Sequence, residues 1–158
     1  MLEKPVRIYA DTSVYGGVFD EEFETSSRVF FDDVRFGRYV LVVSDIVREE
    51  VVGAPDPVRN LFAEISELAE PVEIGGEVLA LRRAYIEAGI VGRRSLADAL
   101  HVAFATVSRC EVIVSWNFRH IVNWEKIPQY NEVNKAKGYQ EIAIHTPQQV
   151  IRYEDEDI

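Results

Sequence analysis

Two hydrophobic periods alternate along the chain: short continuous apolar runs, and stripes recurring every three or four residues. Val6-Arg7-Ile8-Tyr9-Ala10 predicts a first strand with Asp11 at its C-terminal tip, followed by a polar turn. Residues 22–36 carry Phe23, Ser27, Phe30 and Val34 at helical spacing, and Gly37 stands at the C-cap. Tyr39-Val40-Leu41-Val42-Val43 is unbroken, as in a strand covered on both faces. Ser44 caps a helix that runs to about Val52 and ends at Gly53-Ala54-Pro55. Another helix begins at Pro57 with Leu61, Ile65 and Leu68 on one stripe; Pro71-Val72-Glu73-Ile74 predicts a short strand. Gly75-Gly76 then leads into a helix ending near Gly89.

The second half repeats the alternation. Gly92-Arg93-Arg94 reads as a loop, and Ser95 opens a helix to about Ser108. Glu111-Val112-Ile113-Val114-Ser115-Trp116 predicts a buried strand with Asn117-Phe118-Arg119-His120 beyond its tip. Residues 124–139, rich in Asn and Lys, are weakly patterned and predict a long excursion. Glu141-Ile142-Ala143-Ile144 predicts a last strand, and Thr146-Pro147-Gln148-Gln149 a last helix with a cap, a first-turn proline and a capping-box glutamine. Alternation of this kind, without repeats or low-complexity linkers, predicts an α/β fold: a parallel sheet covered by helices in a three-layer α/β/α sandwich. A length of 158 residues fits a single domain. The acidic tail, about 154–158, is expected to be a solvated or frayed end.

Composition narrows the function classes. The chain is 47% hydrophobic, which excludes a disordered protein. No apolar stretch approaches the ~20 residues of a membrane span, and the first residues lack the apolar segment of a secretory signal. The single cysteine, Cys110, excludes an internal disulfide framework. It fits a reducing cytosol, so a cytoplasmic protein is expected, with Cys110 a buried packing residue. The net charge of −10 argues against holding nucleic acid by bulk electrostatics. It leaves room for a nuclease, because metal ions at an acidic site supply local positive charge.

Three acids are candidates, each with an ordinary role to weigh against it. In open α/β sheets ligands bind outside the carboxyl ends of the strands, where Asp11 stands; its ordinary role there is to accept from backbone N–H groups of the turn. Glu50 shares the side of Ile46 and Val47 on its helix, while Glu49 faces away with Asp45; its ordinary role is a solvated surface charge. Ser95-Leu96-Ala97-Asp98 has the capping-box spacing, so Asp98 has a structural role open to it. The helix around Asp98 is apolar on nearly every face, which puts an acid against the interior and calls for a neutralising partner, a bound cation or an arginine such as Arg94. Three acids at one sheet edge suit Mg²⁺ or Mn²⁺, and the lack of a Cys/His cluster argues against zinc. His101 reads as a packed, hydrogen-bonded residue; His120 and His145 are isolated.

Four stretches, Ile8-Tyr9-Ala10-Asp11-Thr12-Ser13-Val14, Val43-Ser44-Asp45-Ile46-Val47-Arg48-Glu49-Glu50-Val51, Ser95-Leu96-Ala97-Asp98-Ala99-Leu100-His101-Val102-Ala103 and Val112-Ile113-Val114-Ser115-Trp116-Asn117-Phe118, lie in an order and spacing that resembles the PIN-domain nucleases. The resemblance is strongest to VapC-type toxins of toxin–antitoxin systems and covers almost the whole chain. It implies a PIN-like fold and a Mg²⁺- or Mn²⁺-dependent ribonuclease, with Asp11, Glu50 and Asp98 as catalytic acids and metal ligands. It also implies an antitoxin partner and a homodimer. Thr12, Ser13, Ser115 and Asn117 would support the site, and Arg93, Arg94 and Arg119 are candidates for phosphate contact. Where the family often has a further Asp, this chain has Asn117, which keeps a carbonyl oxygen and gives up a charge. That departure implies weaker metal binding and leaves a second reading open, a non-catalytic PIN-like module that binds RNA or protein. A receiver-type or phosphatase-type domain with Asp11 as phosphoacceptor ranks below both, because no strand tip carries a lysine.

Overall fold

The computed structural model describes residues 4–151; the acidic tail at 154–158 lies outside them. Five strands form one sheet, all parallel, in the order β3-β2-β1-β4-β5. The strands are β1 (Val6–Ala10), β2 (Tyr39–Ser44), β3 (Glu70–Val72), β4 (Val112–Val114) and β5 (Ala143–His145). Ile8, Tyr9, Val42, Ile113 and Val114 are fully buried, as expected of strands covered on both faces. The helices are α1 (Thr12–Gly17), α2 (Glu24–Arg35), α3 (Asp45–Val52), α4 (Asp56–Ser66), α5 (Gly76–Glu87), α6 (Leu96–Val107), α7 (Lys126–Ala136) and α8 (Pro147–Val150). Helix α1 contacts α2, α3 and α4, and α2 contacts α8, while α5 packs on α6 and α7. These two groups cover opposite faces, because right-handed crossovers send the chain over one face on the way from β1 to β3 and over the other from β3 to β5. The α/β/α sandwich expected from the pattern is the observed architecture.

Local signals account for some of the element ends. The Ser44 hydroxyl accepts from the Val47 N–H at the start of α3. Gly37, after α2, takes a φ of +77° that a side chain would strain. The Thr146 N–H donates to the Gln149 side chain, one half of the expected capping box. Cys110 is buried, as expected. No helix among the described residues is long and apolar enough to cross a membrane.

Three expectations fail. The polar turn after β1 is helix α1, closed by burial of Val14 and Tyr15. The loop at Gly92-Arg93-Arg94 holds a 3-10 turn, Arg93–Ser95. The excursion at 124–139 contains helix α7, whose inner face is secured by polar side chains. Tyr85 donates to the Asn134 carbonyl in the interior, and Asn131 pairs with both the N–H and the C=O of Ile142 at 2.8 and 2.9 Å.

Candidate functional site

From β1 the chain moves to β2 on one side, and it later returns to β4 on the other, so the β1/β4 boundary is the sheet's switch point, the place where open α/β sheets bind ligands. Asp11 leaves β1 there and ties the two tips together, its N–H donating to the Val114 carbonyl at 3.1 Å. Its side chain is 4% exposed and makes no cap bond to α1. The carboxylate instead accepts from the Ser13 hydroxyl at 2.5 Å and the Ser115 hydroxyl at 2.7 Å. The Asn117 N–H donates to Ser115 Oγ and the Trp116 N–H to Ser13 Oγ, each at 2.9 Å. Both serines thus hold Asp11 and shape the β4 tip, so the ordinary turn role does not explain its carboxylate.

Helix α3 delivers Glu50, which is about one-third exposed (35%). Its Oε1 accepts from the Thr12 hydroxyl and from His101 Nε2, both at 2.7 Å. His101, on α6, is 3% exposed, and its Nδ1 meets the Tyr9 hydroxyl at 2.7 Å. Tyr9 in turn meets Ser44 Oγ at 2.7 Å. A buried chain, Ser44–Tyr9–His101, therefore ends on Glu50. A carboxylate only accepts, so Nε2 is the donor in that last bond. The pattern identified His101 as a packed, hydrogen-bonded residue, which it is. Its placement between Tyr9 and an acid was not legible, because a helical histidine and a strand tyrosine far apart in sequence carry no shared signal.

Asp98 sits in the first turn of α6, half-buried. Ser95 makes no side-chain cap bond, so the capping box suggested by the spacing is not formed. Asp98 Oδ1 instead accepts from Asn117 Nδ2 at 2.9 Å. Asn117 Oδ1 accepts from the N–H groups of Arg119 and His120 at 3.2 and 3.0 Å. Those backbone groups only donate, which fixes the oxygen on their side and turns the amide nitrogen toward Asp98. Arg94 does not pair with Asp98; the charges acting on the acid come from His120, His101 and Glu50.

The three acids share one electrostatic environment. Burial raises Asp11 above the usual carboxylate range, with His101, Ser13 and Ser115 opposing and Glu50 adding to the rise. Burial likewise raises Asp98, with His120, His101 and Asn117 opposing and Glu50 again adding. Burial pushes Glu50 upward too, but the hydrogen bond and charge of His101 and the bond from Thr12 outweigh it, and Glu50 is lowered. Glu50 thus acts on both Asp11 and Asp98. Among the described residues no three Asp, Glu, His or Cys side chains close on one point. What the set offers a cation is carboxylate oxygen, the ligand type that Mg²⁺ takes.

Arg119 lies exposed in the turn held by Asn117. Arg93 lines an open groove between α5 and α6 with Leu79, Arg83 and Ile86, and Arg94 is exposed on the same 3-10 turn. Only Arg119 belongs to the segment that builds the site. A scan against protein-family models finds no match for this chain, and a search of curated proteins finds none.

Proposed function

We propose that this chain is a metal-dependent endoribonuclease of the PIN-like, VapC-type kind, the toxin of a toxin–antitoxin pair. One observation carries the proposal. Asp11, Glu50 and Asp98 come from three separate elements to one sheet edge, and burial makes two of them costly to ionise, which a bound cation would offset. Asp11 and Asp98 would hold Mg²⁺ or Mn²⁺, with Glu50 ligating or facing the attacking water. When bound, the cation supplies charge to the phosphoryl oxygens and acidifies water.

The chain's own residues do the rest. Glu50, fixed by Thr12 and His101, takes the proton as the water oxygen bonds to phosphorus. The phosphorus–oxygen bond to the leaving ribose then breaks, and the departing oxygen takes a proton from solvent water. Ser13 and Ser115 hold Asp11 in place, and Arg119 is positioned to meet a phosphate. The antitoxin and the homodimer follow from the resemblance alone, and a cytoplasmic location from the single cysteine.

A non-catalytic PIN-like module is the second reading, and Asn117 favours it, since it donates to Asp98 where a further acid would add charge. Cleavage of single-stranded RNA in Mn²⁺, compared between the native chain and Asp11→Asn, separates the two. The nuclease reading expects a loss of about a hundredfold or more, beyond the roughly 10–100-fold that outer-sphere changes cost. Equal background cleavage by both proteins favours the binding module.

A further inference from the structure

Beside the acids, the β4 tip carries an aromatic group that the chemistry above does not use. Trp116 and Phe118 flank Asn117, the residue bonded to Asp98. Phe23, from the turn before α2, stacks on Trp116 with ring centroids 4.3 Å apart and planes 21° from parallel. Phe118 lies 6.2 Å from Trp116 and 6.4 Å from Phe23, tilted to both. Phe118 is 52% exposed.

The group is braced from beneath. Trp116 Nε1 donates to the buried Ser27 hydroxyl at 2.9 Å, and its backbone N–H to Ser13 Oγ at 2.9 Å. Gly17 makes room for the indole: a Cβ there would meet Ser27 Oγ at 2.6 Å and Trp116 Nε1 at 2.8 Å. The polar edge of the tryptophan is thus spent internally, and what the group presents outward is ring surface. Ser13 serves both parts, bonding Asp11 through its hydrogen and Trp116 through its oxygen.

We infer that Phe118, backed by Trp116 and Phe23, is a stacking platform for an unpaired base of single-stranded RNA next to the phosphodiester at the acids; the inference rests on the ribonuclease reading. The charge of the chain supports it. A net charge of −10 argues against holding an RNA backbone by bulk electrostatics, so contacts that carry no charge have to contribute to binding. Stacking on aromatic rings is such a contact, and it accepts any base. The platform is covalently continuous with Asn117, so a base seated on it keeps its neighbouring phosphate at the carboxylates.

The test uses the full chain with Trp124→Phe, which leaves Trp116 as the sole tryptophan. A mixed-sequence single-stranded RNA octamer is titrated in EDTA, where metal-dependent cleavage is stopped, and indole fluorescence is followed. The platform predicts saturable quenching that an abasic octamer does not produce. It predicts about tenfold weaker binding in Phe118→Ala and Phe118→Leu, the low-to-middle range for one stacked base, and near-native binding in Phe118→Tyr. Phe118 is exposed, so these variants keep the fold. Cleavage in Mn²⁺ separates the two claims. Quenching by RNA without cleavage upholds the platform and sinks the ribonuclease. Cleavage whose KM is unchanged in Phe118→Ala, or equal binding of the abasic octamer, overturns the platform and leaves the ribonuclease standing.

Discussion

Asn117 donates from Nδ2 to Asp98 Oδ1 at 2.9 Å, so a neutral amide partners the half-buried acid. Asp at this position would keep the carbonyl-type oxygen that caps Arg119 and His120. It would lose the donor and set a second carboxylate against Asp98. Asn117→Asp is therefore expected to lower stability in EDTA by about 1–3 kcal/mol. The same change adds a charged ligand, so Mn²⁺ should raise the melting temperature of Asn117→Asp more than that of the native chain. Thermal melts with and without Mn²⁺ check both effects, and an equal metal-induced rise in the two proteins contradicts the role assigned to Asn117.

Removal of the Tyr9 hydroxyl strands the buried His101 Nδ1 and takes one partner from Ser44 Oγ, which keeps the Val47 N–H. Tyr9→Phe should cost about 1–3 kcal/mol in urea unfolding. Through His101 the same chain aims Glu50, so His101→Ala should slow RNA cleavage by roughly 10–100-fold, as other outer-sphere changes do. Glu50→Gln combined with His101→Ala should be little slower than Glu50→Gln alone, because the histidine acts through the acid. Additive losses would show that His101 acts elsewhere.

Stability should respond to pH with opposite signs at two of the acids. Burial raises Asp98, so the folded state holds that proton more tightly than the unfolded chain does. Its contribution is most favourable at low pH and declines as pH rises through the raised folded value. Glu50 is lowered on balance, so its contribution is present above the ordinary carboxylate range and is lost as pH falls through the folded value. In EDTA, Asp98→Asn should gain stability relative to the native chain between about pH 3 and about pH 7, and Glu50→Gln should lose it. Urea unfolding at both pH values reads the two differences, and a common sign for the two variants refutes the assignment.

Among the described residues the Tyr15 hydroxyl is buried without a hydrogen-bond partner, while its ring packs on Phe31 and Phe62 at 4.9 and 5.4 Å. Tyr15→Phe keeps the packing and removes an unsatisfied polar group. It should stabilise the protein by about 1 kcal/mol, measured by urea unfolding. A comparable loss would mean that the hydroxyl is satisfied in solution.

The sequence pattern reached the sheet, its strand-tip acids and most helices because buried parallel strands read as continuous apolar runs. It missed α7 because Tyr130, Asn131 and Asn134 anchor that helix through buried hydrogen bonds and leave only a thin apolar stripe. It missed α1 because two glycines in six residues read as a turn, although Gly17 is there to admit the Trp116 indole. The three acids were legible by their position after strands and at a helix start. Their partners were not: Tyr9, Ser44 and His101 meet across sequence separations of 35 and 92 residues, and no local pattern encodes such a meeting. The aromatic group at the β4 tip was hidden for the same reason, since Phe23 reaches Trp116 only once α1 and α2 have folded.

The proposed ribonuclease requires Asp11 and Asp98 to share a divalent cation. Anomalous diffraction from crystals soaked in millimolar Mn²⁺ tests it at the atoms concerned. The expected result is one strong peak within ligand distance of carboxylate oxygens of both Asp11 and Asp98, absent from Asp11→Asn crystals treated alike. Native crystals with no peak there contradict it.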